Sequence, residues 1–268
     1  MIPRQFRLGT TSFIYPDNII PNVRKIGKFF DEIELLVFES LPEAVLPSNE
    51  DVRELEVLGR DLDLGYNLHL PVDVSLTAES RRDRQSAADT LKQVLDRFAP
   101  LGPSTCTLHL DMDKNLLAPE DLKAWEERAR KGLDLLVPDL DDPGLISVET
   151  LWYDPEILRS LVRDFGLRLC ADAGHHFKYG YDIDTTFAWF REDISIVHLH
   201  GVDLTGEKPK DHIGLDRLSE IHFEQLVSHL SRFTGTVSLE VFNFLNLEAS
   251  LKRLAAAFSD IPVLERVD

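Results

Sequence analysis

Short apolar runs rich in Val, Ile, Leu and Phe alternate along this chain with longer stretches whose apolar positions recur every three or four residues. The first pattern belongs to strands and the second to helices lying on them. Strands are predicted near residues 6–11, 32–38, 65–70, 105–110, 145–150, 167–172, 194–200 and 236–241. Helices are predicted near 18–29, 50–62, 79–99, 119–137, 154–165, 183–190, 219–232 and 247–258. Pro119-Glu120 and Pro155-Glu156 mark two helix starts, because proline in a first turn gives up only an N–H that has no helical partner there. Eight strand-then-helix units fit a closed parallel barrel, the α/β (β/α)8 or TIM barrel, better than an open sheet. Its strands are read as apolar runs buried on both faces. No Ser/Gly-rich linker or low-complexity segment breaks the series, so residues 1–268 are expected to form one domain. The longest connection without a helix, 201–218, is long for a compact domain and is expected to be functional.

What ends these strands adds chemistry. Seven of the nine histidines sit at strand ends or in the loops just after them, in NLHLP (His69), TLHLD (His109), LCADAGHH (His175, His176), IVHLHGVD (His198, His200) and KDHIG (His212). The carboxylates Glu149, Asp172, Asp211 and Glu240 occupy equivalent places. Burying such groups is costly unless a cation compensates. In a parallel barrel all these strand ends converge on one mouth, so the candidate metal ligands are His69, His109, Glu149, Asp172, His175, His200, Asp211, His212 and Glu240. Residues two apart on a strand share a face, so His198 and His200 both point inward, and His200, nearer the end, is the better ligand candidate. His198 is read as a substrate contact, a supporting donor or a packed strand residue, and His176 as an orienting or surface group. Glu34 is read as a salt-bridged barrel residue or a substrate contact. Imidazole with carboxylate suits zinc first, with manganese or iron as alternatives.

Charge narrows the partners. A net charge of −18 argues against a surface that tracks nucleic-acid phosphates, while leaving room for a small anionic substrate at a cation site. Cys106 and Cys170 fall inside predicted strands and are read as small core residues. The first strand begins almost at Met1, and no run of about 18 apolar residues occurs, so a cytoplasmic protein that neither enters nor crosses a membrane is expected. Lys178, Lys208, Lys210 and Arg217 lie in loops at the predicted mouth, where they either grip a phosphate or stay solvated. Phe13, Tyr15, Trp152, Phe177, Tyr179 and Tyr181 either line a wide pocket or pack the loops.

The segments just quoted resemble the xylose isomerase-like barrel superfamily, which includes family-2 apurinic/apyrimidinic endonucleases and many sugar isomerases and epimerases. The resemblance spans essentially the whole chain. It implies a Glu, Asp, His, Glu metal set on strands five to eight, here Glu149, Asp172, His200 and Glu240. Endonuclease-type members add ligands for further zinc ions, matched by His69, His109, His175 and the Asp211-His212 pair; those enzymes separate that Asp and His by one residue, and here the two are adjacent. Within the superfamily, LGTTSFIYPDNIIPNV, EIELLVFES, NLHLPVD, DAGHHFKYGYD, HLHGVD, KDHIGLDRL and SLEVFN look similar to the cobamide-remodelling phosphodiesterases, which cleave the phosphoester joining the nucleotide loop of a vitamin-B12-type cofactor to its corrinoid.

The resemblance therefore implies two or three divalent ions and a small phosphodiester substrate, with Glu149 and Glu240 as catalytic carboxylates. Lys178, Lys210, His198 and Tyr179 are the expected substrate contacts. A sugar isomerase or epimerase with one ion is the main alternative. An abasic-site endonuclease fits the acidity poorly.

Overall fold

The computed structural model describes residues 1–40, 46–115 and 118–264. Seven strands follow one another in the sheet as β1 (Arg7–Thr11), β2 (Glu32–Leu36), β3 (Gly65–His69), β4 (Cys106–Leu108), β5 (Ile146–Glu149), β6 (Arg168–Asp172) and β7 (Ile194–Leu199). A two-stranded hairpin, β8 (Gly201–Asp203) and β9 (Lys210–Ile213), precedes β10 (Thr236–Leu239), which pairs with both β7 and β1 and closes an eight-stranded parallel barrel. Around it run α1 (Ile19–Ile26), α2 (Asn49–Leu62), α3 (Arg81–Phe98), α4 (Pro119–Leu136), α5 (Leu158–Phe165), α6 (Ala173–Tyr179), α7 (Ile183–Trp189), α8 (Glu220–Leu230) and α9 (Phe244–Ala255). Among the described residues no helix is long and apolar enough to cross a membrane.

The barrel and its strand order agree with the pattern in the sequence; three local features do not. Helix α6 was not expected, because it follows β6 without a connecting loop and its first turn is Ala-Gly-His-His. The Asp172 side chain caps it, accepting from the His175 amide at 2.6 Å. The 201–218 stretch is a hairpin and a single 3-10 turn (Leu215–Arg217) rather than an unstructured loop.

The third difference concerns the barrel interior. Strand residues are buried on both faces, as expected, but the inner face is polar. Outward positions such as Ile33, Leu35, Leu68, Val148, Val197 and Leu239 pack under the helices, while Glu32, Glu34, Asn67, Thr107, Ser147 and Ser238 are buried inside. Every second residue is polar, a period of two that counting apolar runs overlooks. Most of these groups are hydrogen-bonded to other lumen residues, though Thr107 Oγ1 has no partner among the described residues. Glu32 accepts from Asn67 Nδ2 (3.0 Å), Ser104 Oγ (2.9 Å) and Thr236 Oγ1 (3.1 Å), and Arg7 closes the base of the barrel at 2.7 Å from Glu32. Glu34 accepts from Ser238 Oγ at 2.5 Å. Both carboxylates thus cross from β2 to β10 in front of β1, whose inward residue, Gly9, has no side chain to obstruct them.

Candidate metal centre

The carboxyl ends of the strands deliver the expected side chains to one place. His69, Glu149 and Asp172 are the last residues of their strands, while His109 and Glu240 follow β4 and β10 by one residue. His200 joins β7 to β8, His175 lies in the first turn of α6, and His212 is on β9. Three overlapping groups result, in each of which one donor atom per residue lies within 4.8 Å of the others: His69, His109, Glu149; Glu149, Asp172, His198, Glu240; and Asp172, His175, His200, His212. Glu149 belongs to the first two groups and Asp172 to the last two. Cys170 also approaches Glu149 and His198. Both cysteines are buried and free, and burial pushes the Cys106 thiol up to about 12 and the Cys170 thiol higher still.

Several separations match ligands around an ion better than direct hydrogen bonds. His69 Nε2 is 3.4 Å from Glu149, His212 Nε2 3.3 Å from Glu240 and His198 Nδ1 3.4 Å from Glu240, whereas His175 Nδ1, 3.3 Å from Asp172, also bonds the Thr150 carbonyl at 3.1 Å. Tetrahedral ligands about 2.0–2.1 Å from zinc stand roughly 3.3 Å apart. The Nδ1 of His69 is 3.0 Å from the Leu70 carbonyl and donates to it, which turns the Nε2 lone pair toward Glu149. His109 differs, with Nε2 at 2.8 Å from Glu149 in a direct hydrogen bond.

Charge and burial give the same answer. Burial alone would raise the Glu149 carboxyl, but the charge and hydrogen bond of His109, with the nearby imidazoles of His175 and His69, hold it well below the ordinary carboxylate range. Burial opposes a charge on His175 and His212, yet Asp172 and Glu149 lift the first, and Asp211 and Glu240 the second, to about 10. Protons on these imidazoles therefore balance the carboxylates in the metal-free chain. Glu240 Oε2 and both nitrogens of His198 are buried without an aligned hydrogen-bond partner. Orphaned polar atoms among histidines and carboxylates are what zinc, manganese or iron would satisfy, so the residues present fit divalent ions.

Two backbone features assemble the third group. His212 has φ of 52°, unusual for a residue with a Cβ. This breaks the strand alternation, so His212 stacks on His200 at 4.1 Å while neighbouring Asp211 also stays on the site side, paired with Lys178. The first turn of α6 passes over His200 so closely that a Cβ on Gly174 would lie 2.0 Å from that ring.

The structure therefore brings together eight of the nine expected ligands, and adds His198. Asp211 lies outside the three groups, because Lys178 and His212 hold its carboxylate. His200 is in the third group, and the quartet with Glu149, Asp172 and Glu240 is made by His198. Lys178 Nζ lies 5.1 Å from the Tyr179 ring centre, and that ring is 6.0 Å from His175, so both expected contacts border the ligands. Lys210 does not; it is exposed on the hairpin's flank, in a cleft with Asp216 and Arg217. Glu34 is a barrel residue, and His176 is an orienting group, bonded to the Asp172 carbonyl (2.6 Å) and to Thr186 (2.9 Å). Trp152 and Tyr181 pack their loops through hydrogen bonds to the Met112 and Trp152 carbonyls, and Phe177 stacks on His222.

Three rim residues escaped the sequence reading. Lys114 reaches over the Tyr179 ring at 5.7 Å. Phe38 lies edge-on to His69 at 5.3 Å, and Phe242 stacks on His212 at 5.2 Å. The signal for the two phenylalanines is that Phe38 falls two residues beyond β2 and Phe242 three beyond β10, where loops begin at the mouth.

Residues 20–261 match the family model of the xylose isomerase-like TIM barrel, and the chain belongs to that family. No curated protein matches the sequence. Among solved structures, the chain is similar to a D-tagatose 3-epimerase-like protein, at 18% identity and TM-score 0.78, covering 94% of this chain and 97% of that one. It is also similar to 3-keto-D-glucoside 4-epimerase from E. coli (15% identity, TM-score 0.66, 94% and 98% covered) and to the IolI protein with a bound zinc atom (15% identity, TM-score 0.68, 97% and 100% covered). At such identities the likeness is one of fold.

Proposed function

We propose that the chain is a metal-dependent phosphodiesterase that hydrolyses the nucleotide-loop phosphoester of a cobamide. The observation that carries this reading is the sharing of Glu149 by two ligand groups, with a third group beside them on Asp172. One ion needs one group; contiguous groups suit two or three ions about 3.5–4 Å apart, the arrangement used in phosphoryl transfer. When bound, such ions, zinc above all, neutralise charge on the phosphoryl oxygens and acidify water.

The chain's own residues supply the rest. Water adds to phosphorus, and the P–O bond on the corrinoid side breaks, giving a cobinamide-type alcohol and a ribazole-type phosphate. Glu149, held as a carboxylate between His69, His109 and His175, is suited to take the water's proton. The leaving corrinoid oxygen takes up that proton from Glu149 or through solvent, while Glu240, 3.3 Å from His212 and kept ionised by His198 and His212, stays an acceptor among the ion-binding residues. Lys178 and Lys114 around Tyr179 give one side of the mouth positive charge, and Phe38 and Phe242 give the other an apolar wall for a bulky substrate. Incubation of metal-replete protein with adenosylcobalamin, followed by mass spectrometry, tests the reading. A cobinamide-type corrinoid with a ribazole phosphate is the expected product pair, and unchanged cobamide refutes it.

A second reading, a one-ion ketose epimerase or isomerase, is favoured by the presence of Glu149 and Glu240 in one quartet and by the epimerases among similar structures. Binding of a single ion per chain, with ketose turnover, would select it.

A further inference from the structure

In the layer beneath the strand ends, His198 of the quartet faces Glu34, a residue that the phosphodiesterase reading leaves unused. His198 and Glu34 are each 0% exposed, one on β7 and the other on β2. A histidine there would ordinarily be replaced by a branched apolar side chain. Its Nε2 lies 2.9 Å from Glu34 Oε1, at hydrogen-bond length though off the line of the bond. Its Nδ1 faces upward, 3.4 Å from Glu240 Oε2 and 3.8 Å from Glu149 Oε2. The two sides of the ring are thus unequal, with contact below and ligand spacing above.

A neutral imidazole has one N–H and one lone pair. Below, Glu34 only accepts, and its other oxygen is already taken by Ser238. That directs the N–H to Nε2 and leaves a lone pair at Nδ1, which faces carboxylates that only accept, with the Cys170 thiol, a weak donor, also beside the ring. Lone pairs facing one another in a buried space need a cation between them. We propose that Glu34 is a positioning residue for the metal centre: it fixes His198 with its proton on Nε2, so that Nδ1 ligates the ion shared with Glu149, Asp172 and Glu240. The inference rests on the metal reading of this site, not on the identity of the substrate. It gives β7 two ligands in two layers, His198 for the quartet and His200 for the group with His175 and His212. Glu34 does for His198 what the Leu70 carbonyl does for His69, with a full charge in place of a dipole.

The test uses metal-free full-length chain reloaded with zinc, reading zinc affinity by competition with a chromophoric chelator and the His198 tautomer by long-range 1H–15N correlation. Wild type is expected to show the proton on Nε2. Glu34→Gln, which offers His198 an N–H as well as an oxygen, is expected to weaken the affected zinc site about 10–100-fold. His198→Ala should lose that same site, and the double variant should lose nothing beyond it. Ser238→Ala, which frees one oxygen of Glu34 without touching its charge, should give a smaller loss, and it carries the test if Glu34→Gln does not fold. Unchanged zinc affinity in either folded variant, or a proton on Nδ1 in the zinc-loaded wild type, overturns the proposal. Because both readouts concern bound zinc, they decide the matter whether or not a phosphodiester is cleaved.

Discussion

Replacing Gly174 by alanine pits two effects against each other. Gly174 is in the first turn of α6, where alanine is the better helix former by about 0.5–1 kcal/mol. Against this, the new Cβ would lie 2.0 Å from His200 Cε1 and 2.3 Å from Nδ1. The ring has to retreat by roughly 1.4 Å to reach an ordinary contact near ~3.4 Å, and it has nowhere to go. It is stacked on His212 at 4.1 Å, 3.1 Å from Asp172 and only 1% exposed. Forced overpacking costs about 1–3 kcal/mol, so the clash outweighs the propensity gain and the melting temperature falls by a few degrees. The larger effect is on the site. Misplacing a functional group by about 1 Å costs around 100-fold in rate, so Gly174→Ala is expected to fold, lose one zinc per chain on reconstitution, and lose about two orders of magnitude of turnover. Elemental analysis, a thermal melt and the cobamide assay measure the three quantities. Full zinc content with wild-type turnover would show that His200 is free to move and that the third ligand group does not act as described.

Glu149→Gln should abolish most zinc binding in two groups and lower cobamide turnover by at least about 10²–10⁴-fold with the fold intact by circular dichroism, whereas His222→Ala, on α8, should leave both unchanged. Lys178→Ala should raise KM more than it lowers kcat, while Lys210→Ala, on the far flank of the hairpin, should change neither; equal effects would contradict the hairpin's orientation. In metal-free protein, His175 and His212 are lifted from 6.5 to about 10. Because the folded values exceed the unfolded ones, their stabilisation is full below pH 6.5 and is lost as pH rises toward 10, so the melting temperature should decline across that window. Zinc must displace those protons, so reloading at pH 7.5 should acidify a weakly buffered solution, as an indicator dye would report; no acid release would mean that these histidines are not ligands.

The barrel was legible because eight apolar runs and eight helical periods survive in the sequence with little interruption. The chemistry was legible because strand ends are where such a barrel gathers its side chains. What stayed hidden is depth. Alternation along IVHLHGVD shows that His198 and His200 face the same way, but their layers depend on the stagger between strands, which no single strand encodes. The place of Asp211 is hidden for a related reason, since regular alternation would separate it from His212 and only the positive φ at His212 keeps both near the site. Lys210 shows the converse, a lysine adjacent in sequence to the ligands and turned away from them. Helix α6 was missed because its cap, Asp172, also reads as the end of a strand.

The pairing of β2 with β10 across β1 has a bearing on how such a protein changes over generations. Glu32 with Thr236, and Glu34 with Ser238, are paired across more than two hundred positions of chain. An inward substitution on one strand strands a buried partner on the other, whereas an outward one meets only adaptable hydrocarbon. Drift in the shell can therefore proceed one residue at a time, while the lumen has to move by exchanges made in couples, with Gly9 as the narrow gate that keeps those couples in touch.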